Sequence, residues 1–368
     1  MKKKTTLLAI AAAGLFLFSG CSAMVPTSLS ANWLKNPTAI DDPSFYERLE
    51  YDVSFNNSLT HDAISKITVD SEHSSYVQET EFLPTWSHLG DGSTCYAVYH
   101  MKAELTLSAT YTYVASNGAE EDVLSFGGQF DTESSDADDP AKVVTEVWFY
   151  SLGNQKNLQP LYSKSEYYSY SPAMNGKSVQ LLNYGYVIDY GTDCKSATVT
   201  YTDHWQDLSD EEQRVNDNLY LYKTKLLNTA SITFKDLTKQ YTCIDKTQLL
   251  FAARGIDYSA NSSNTLTFVS GETGKQNVTL SCSEVVEAPF TFALDADQAS
   301  EQTVRYANVS LTIASGGSNV GTAHTMLIAQ KTSDNNSPFY ALPLQIQSPF
   351  GYNLGTLVYK LSEATHTR

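Results

Sequence analysis

The sequence predicts a mainly β protein with one strongly curved, half-barrel-like antiparallel sheet and two or three short helices. Cys95 to Tyr113 alternates apolar and polar residues with a strict period of two, which is typical of a strand with one buried face. At ~3.3 Å per residue this strand would span roughly 60 Å, so we expect the sheet to bend strongly. Tyrosine, a residue that favours strands, occurs 24 times. The alternative fold is a two-sheet β-sandwich.

The start of the chain has the layout of a targeting segment. Three lysines follow Met1, an apolar run ends at Phe18, and small residues precede Cys21. The apolar run of ~14 residues falls short of the ~20 needed to span a membrane. Leu17 to Cys21 resembles the lipobox of bacterial lipoproteins, although Phe18 stands where that family usually has leucine. The resemblance implies a signal peptide over residues 1–20, a lipid (palmitate) on Cys21, and an extracytoplasmic protein anchored to the bacterial cell membrane.

The remainder of the chain divides into a tether and a single domain. Residues 21–44 are rich in Ser, Pro, Asn and Ala without periodicity, which predicts a flexible tether. Residues 45–368 are predicted to form one large β-rich domain. A candidate seam lies at residues 203–218, where Ser209 and Glu212 have the spacing of a helix capping box.

Apolar alternation and turn signals divide the domain into strands. Asn56 to Ser65 is interpreted as a short helix. The predicted strands are Leu49 to Phe55, Tyr76 to Phe82, Cys95 to Tyr113, Val123 to Phe130, Lys142 to Ser151, Leu158 to Ser171, Ser178 to Tyr190, Lys195 to Thr202, Leu219 to Leu227, Ser231 to Leu237, Thr265 to Ser270, Gln276 to Val285, Pro289 to Leu294, Thr303 to Ala314, Ala323 to Lys331, Phe339 to Gln347 and Leu354 to Leu361.

A second helix is predicted from Lys246 to Arg254. Asp245 can cap its first turn, Gln248 completes the capping box, and Gly255 ends it. Its buried side is predicted to consist of Leu249, Leu250 and Ala253, together with Phe251.

Tyrosines of equal parity form stripes on neighbouring predicted strands. One stripe contains Tyr162, Tyr168 and Tyr170, and the next contains Tyr184 and Tyr186. Such stripes fit cross-strand packing, and they also fit a platform for a ligand.

No motif in the sequence indicates catalysis, a metal or a cofactor. The acidic loop Asp131 to Pro140 lacks the glycine and closing glutamate of a calcium loop. The histidines form no HxH or HExxH pair, and no nucleophile elbow or phosphate loop is present. Asp203, His204 and Trp205 come nearest to a reactive group of residues. We therefore predict that the protein is not an enzyme.

The partners that the sequence predicts are limited by its charge. The net charge of −17 argues against nucleic acid, because an acidic surface repels phosphate. The lipid on Cys21 would supply the membrane contact.

Besides Cys21 the chain has four cysteines, Cys95, Cys194, Cys243 and Cys282. An even number permits two disulfides with three connectivities, whereas burial in apolar strands also suits free thiols. The sequence leaves both states open, and the absence of a CxxC pair argues against zinc.

Three segments resemble elements of extracytoplasmic half-barrel proteins, a superfamily that includes lipoprotein-sorting carriers. They are Thr145 to Tyr167, Gln248 to Ile256 and Tyr340 to Leu361. The resemblance implies a curved antiparallel sheet that wraps short helices and whose concave face can hold an acyl chain.

Three functions remain as hypotheses. The first is a lipid-anchored protein that binds a hydrophobic or amphipathic ligand in an apolar groove beside the long strand, without catalysis. The second is a surface-displayed structural or adhesive module, which aromatic side chains exposed on one flat face would favour, and the third is an envelope hydrolase. For the first, the candidate ligand-facing residues are Tyr99, Met101, Leu105, Leu107 and Tyr111.

Overall fold

One large sheet dominates the computed structural model of this chain. The structure describes residues 44–57, 64–87, 92–114, 120–123, 141–151, 158–172, 179–191, 194–203, 219–221, 231–237, 242–295, 297–314, 324–330, 339, 341–350 and 355–366. The predicted signal peptide, Cys21, almost all of the tether, the acidic loop and the capping box at Ser209 lie outside these residues.

Among the described residues the sheet has seventeen strands, and the helical segment is a 3-10 turn, Lys246–Gln248, that continues into helix α1, Leu249–Arg254. The strands are β1 (Tyr46–Asn57), β2 (Ile64–Ser87), β3 (Thr94–Val114), β4 (Glu120–Val123), β5 (Ala141–Tyr150), β6 (Pro160–Pro172), β7 (Val179–Asp189), β8 (Ser196–Asp203), β9 (Leu219–Leu221), β10 (Ser231–Lys235), β11 (Cys243–Asp245), β12 (Ser263–Ser270), β13 (Gly274–Leu294), β14 (Ser300–Ala314), β15 (His324–Ala329), β16 (Pro343–Phe350) and β17 (Gly355–His366).

The path of paired strands is continuous through both halves of the chain. Followed from one edge, it runs β10–β8–β7–β6–β5–β3–β2–β1–β17–β16–β15–β14–β13–β12–β11. All these pairs are antiparallel except β11 with β12. Strand β1 lies between β2 and β17 and so joins the N-terminal half of the sheet to the C-terminal half.

The two edges of the curved sheet overlap. Phe268 of β12 packs in the main core, whereas the next residue, Val269, packs in a second cluster with Tyr186 of β7. Because successive strand residues point to opposite faces, the β11–β12 edge lies inside the edge formed by β7, β8 and β10. Lys275 donates hydrogen bonds of 3.2 and 2.9 Å to two consecutive backbone oxygens at the end of β10. The sheet therefore closes on itself in a barrel-like way.

A smaller ring closes within the C-terminal half. Ala293 and Leu294 at the end of β13 pair in parallel with Glu363 and Ala364 of β17. This pairing completes a ring of strands from β13 to β17, and it places Asp295 beside the end of β17.

Helix α1 lies against the concave face of the sheet. Phe251, Ala252 and Ala253 are fully buried in the main core. The Phe251 ring contacts Tyr99 of β3 and Phe149 of β5, with centroid distances of 5.6 and 5.2 Å. The capping box at Asp245 and Gln248 is present as predicted.

The predicted fold class is confirmed: a single strongly curved antiparallel sheet with few helices. The sandwich alternative is wrong, because the strands form one continuous sheet and not two. The long strand extends over Thr94–Val114. The short helix expected over Asn56 to Ser65 is wrong at both ends, because β1 continues to Asn57 and β2 begins at Ile64.

The expected break before Pro289 is also wrong. Strand β13 continues through it, and its register with β14 shifts between Cys282 and Glu284. The four cysteines of the domain are buried free thiols in the structure.

Candidate ligand-binding site

The register of the sheet aligns the side chains of its concave face into rows. One row is entirely buried and consists of Thr80, Met101, Val147 and Ser163. Four residues further along each strand, away from the Phe251 contact, the corresponding side chains are partly accessible. This open row consists of Tyr76, Leu105, Val143 and Tyr167. The concave face is thus filled beside Phe251 and accessible at the open row.

The predicted ligand-facing residues of β3 fall into different environments. Tyr99 and Met101 are 0% exposed, and Leu107 is also buried. Leu105 is partly accessible and belongs to the open row. Tyr111 lies in β3, but its side chain is outside the described part of the structure. A ligand contact at these five positions stays a prediction, and the accessible surface favours Leu105 among them.

An ion pair lies at the end of the open row. Lys246 in the 3-10 turn pairs with Glu272, which also accepts a hydrogen bond from the Tyr167 hydroxyl. The side chains of Lys246 and Glu272 are 44% and 20% exposed. The ion pair of Lys246 and Glu272 therefore lies next to the otherwise apolar and aromatic open row.

Lys246 is enclosed by protein although it is accessible. Burial opposes the charge on its ammonium group, but the Glu272 carboxylate outweighs burial and raises the pKa of Lys246. Burial likewise opposes the charge on Glu272, whose pKa is lowered because Lys246 is close. The surrounding protein desolvates Lys246 and Glu272, yet solvent still reaches both side chains. They therefore lie on a concave surface.

The hairpin between β12 and β13 carries Glu272 to this position. Its backbone at Gly271 lies so close to the Tyr186 ring that a Cβ atom there would overlap the ring. The Tyr201 hydroxyl donates a 2.8 Å hydrogen bond to the Gly271 backbone oxygen. Tyr167 stacks on Tyr184, with ring centroids 4.7 Å apart. The tyrosine stripe of β7 therefore serves packing, and it docks the hairpin beside the open row.

Two leucines and a histidine complete the accessible surroundings. Leu249 and Leu250 directly follow the 3-10 turn and are partly buried against the main core. His324 of β15 has the same parity as the buried Met326, which places it on the concave face. Burial and the positive charge of Lys246 lower the pKa of His324 to about 4. His324 is consequently neutral at physiological pH, and Lys246 is the cation of this region.

A buried carboxylate fixes the start of the helical segment. Asp245 accepts hydrogen bonds from the Ser163 and Tyr190 hydroxyls, both 2.6 Å, and from the Thr247 backbone N–H at 2.8 Å. Burial raises the pKa of Asp245, and these hydrogen bonds oppose that shift. The Gln248 side chain donates a 3.0 Å hydrogen bond to the Leu158 backbone oxygen. Asp245 therefore holds the position of Lys246.

A buried ion network fixes the other end of the helix. The Arg254 guanidinium pairs with both oxygens of Glu47, at 2.5 and 2.7 Å. His366 Nε2 lies 3.0 Å from Glu47, and its Nδ1 lies 2.9 Å from Asp295. Burial alone would raise the pKa of Glu47, but Arg254 and His366 lower it to about 2. Burial opposes the charged form of His366, yet Glu47 outweighs it and raises the pKa.

The outer face of the sheet carries a second aromatic group. His100 stacks on Trp148 at 4.4 Å, Trp148 also stacks on Trp86 at 5.6 Å, and Tyr162 packs against both indoles. His100 lies 3.0 Å from the Glu146 carboxylate. Burial opposes the charge on His100, but its two carboxylate partners outweigh burial and raise the pKa. Tyr162 therefore belongs to the outer face.

The concave face offers a small set of polar groups beside its apolar side chains. Among the described residues, no group of three or more His, Cys, Asp and Glu side chains is arranged to hold a metal ion. Of the three residues singled out at the end of β8, Asp203 ends the strand, and His204 and Trp205 lie outside the described residues. The polar groups around the open row are the Lys246–Glu272 ion pair, the hydroxyls of its two tyrosines and the His324 imidazole. In the part of the chain that the structure describes, no helix is long and apolar enough to span a bilayer.

Comparisons with known proteins give a fold likeness and no family. No family model matches the chain, and no curated protein matches it. One similar solved structure is a β-barrel-like protein of a domain of unknown function, DUF1849, from Brucella abortus. The alignment covers 88% of this chain and 98% of that chain, with 7% sequence identity and a TM-score of 0.44. Its name states no activity.

The separate parts of this site were predictable from the sequence, but the contacts between them were not. The helix start at Lys246, the connection between the strands that end at Ser270 and begin at Gln276, and the stripe at Tyr184 were each predicted from local patterns. Their contact depends on the overlap of the sheet edges, which no local pattern encodes. The buried pair of Glu47 and Arg254 had no signal, because a charged residue at a strand start usually faces water.

Proposed function

We propose that this protein is a lipid-anchored, extracytoplasmic binding protein that holds an amphipathic ligand on its concave face and catalyses no reaction. The observation that carries this proposal is the open row, an accessible apolar and aromatic strip that ends at an accessible ion pair. With strands about 4.8 Å apart, four adjacent side chains span roughly 14 Å. That length suits an alkyl chain that lies across β2, β3, β5 and β6.

The location in this proposal rests on the sequence. Residues 17–21 resemble a lipobox, and acylation of Cys21 would tether the domain to a membrane surface. Mass spectrometry of the protein extracted from its own cells tests this part. A chain that begins at Cys21 and carries acyl groups supports the anchor, and a chain that retains residues 1–20 refutes it.

Ligand binding is tested with the mature chain, residues 21–368, carrying Cys21→Ser so that no acyl group is attached. We expect this protein to bind a fluorescent fatty acid with saturation. Leu105→Trp places a large ring in the open row and should weaken binding by about tenfold or more, because even one lost hydrophobic anchor costs over 1.4 kcal/mol. Thr106→Trp is the matched control on the outer face and should bind normally. Equal binding by both variants, or none by the parent protein, contradicts the proposal.

A surface-displayed adhesive module is the second candidate. The outer aromatic group of Trp86, His100, Trp148 and Tyr162 supports it, together with Tyr96, which is 64% exposed. Aromatic rings on an accessible face are a common means of contacting another molecule. Failure of every amphiphile to bind, together with binding of the protein to whole cells that Trp86→Ala abolishes, would favour this candidate.

A further inference from the structure

At the end of the open row, the hydrogen-bond acceptors of Glu272 are used, whereas donors of Lys246 remain. Both carboxylate oxygens of Glu272 are engaged, one by the Tyr167 hydroxyl and the other by Lys246. An ammonium group has three donors, and within the described residues Lys246 uses one of them. The unused capacity at this position is therefore that of a donor and a cation.

Among the described residues, the hydrogen bond that Lys246 makes is the one to Glu272. Asp245, its neighbour in the chain, is buried and accepts from Ser163, Tyr190 and Thr247. His324 faces the same concave region. The 44% accessible side chain of Lys246 can thus present its remaining donors to a molecule lying on the open row.

The position of Lys246 is also held in place. The capping box fixes the 3-10 turn, and Glu272 restrains the ammonium group from the hairpin side. A charge that is already positioned and partly desolvated loses less on binding than a freely moving surface lysine.

We propose that Lys246 receives the anionic headgroup of the ligand, so that the site selects carboxylate or phosphate amphiphiles over neutral and cationic ones. This inference rests on the proposed function and adds the chemical class of the headgroup. The alkyl chain lies along Leu105 and Val143 of the open row. Glu272 is a positioning residue that competes with the headgroup for the same ammonium group.

The test compares three ligands with the same alkyl chain: laurate, lauryl alcohol and laurylamine. Calorimetric titration of the mature Cys21→Ser chain at pH 8 should give at least about tenfold tighter binding for laurate than for the alcohol, the size of one charge-assisted hydrogen bond. Laurylamine should bind more weakly than the alcohol.

Variants assign that preference to a residue. Lys246→Gln should remove the preference for laurate while binding of the alcohol stays within about twofold, and Lys246→Arg should retain it. Lys164→Gln is the matched control, because Lys164 is 43% exposed and pairs with Glu166 on the outer face. It should leave all three affinities unchanged. Glu272→Gln should tighten laurate binding, a gain that misfolding cannot produce.

The outcomes separate this inference from the proposed function. Equal affinities for the three ligands, or a preference that survives Lys246→Gln, overturn the role of Lys246 and leave an amphiphile-binding protein. Tighter binding of laurylamine overturns it in favour of Glu272. If none of the three ligands binds, both the headgroup assignment and the proposed function are refuted.

Discussion

At the scale of single residues, Glu47 shows how a buried charge can tie distant parts of a fold together. Its carboxylate meets Arg254 of helix α1 and His366 of β17, and all three side chains are at most 7% exposed. Moving such charges out of water is costly, so the pair is stable only while each partner has its counterpart. Removal of one partner leaves the other buried and unpaired.

We therefore predict that Glu47→Gln lowers the free energy of unfolding by about 3–5 kcal/mol at pH 7. The folded-state pKa of Glu47 is about 2 and its ordinary value is 4.5. A group with a lowered pKa stabilises the fold above its unfolded pKa and loses that effect as the pH falls through its folded pKa. The difference between the wild-type protein and the variant should consequently shrink between pH 4.5 and pH 2.

Urea unfolding followed by circular dichroism measures this difference. The control is Glu79→Gln, since Glu79 pairs with Arg48 at 2.7 Å but is 33% exposed. Exposed pairs contribute about 0–1 kcal/mol, so this variant should unfold almost as the parent does. Equal destabilisation by the two substitutions would contradict the larger contribution of the buried network to the free energy of unfolding.

At the scale of elements, the β12–β13 hairpin depends on one residue without a side chain. Gly271 approaches the Tyr186 ring so closely that any Cβ atom would displace the hairpin or the ring. The same hairpin carries Glu272, so its displacement also moves the partner of Lys246. Packing of the overlap and geometry of the candidate site are thus coupled through this turn.

We predict that Gly271→Ala destabilises the protein by about 1–3 kcal/mol, as expected for overpacking. It should also tighten laurate binding, as Glu272→Gln does, because the displaced hairpin moves the competing carboxylate away from Lys246. Thr273→Ala is the control in the same turn, where the side chain is exposed, and it should change neither property. Thermal unfolding and calorimetry provide the two measurements, and a stable Gly271→Ala variant would contradict the close approach.

Elements with local signals were predictable from the sequence, and long-range contacts were not. The alternation in β3 and the capping box at Asp245 specify a strand and a helix start through neighbouring residues alone. Proline at position 289 suggested a strand break, but β13 continues through it and pairs Pro289 with Thr303 of β14. The open row was only partly foreseen, at Leu105. Alternation identifies which side chains point inward but not which of them a helix covers.

At the scale of the whole molecule, β1 occupies the centre of the sheet although it is the first strand of the described chain. Its partner β17 is the last strand, and the contact between Glu47 and His366 spans 319 positions. No strand near β1 in sequence can replace β17, because β2 covers only its other edge. The two halves of the sheet are consequently one cooperative unit across this pairing.

The central place of β1 has a consequence for the order of events when the protein folds. Until β17 has been synthesised and has paired with β1, one edge of β1 has unpaired backbone N–H and C=O groups. Such an edge can pair with strands of other chains. Native structure in the middle of the sheet therefore forms late, and folding should be slow for a chain of this length. The unpaired edge of β1 is therefore the kind of segment that a chaperone which binds extended chains would protect during folding.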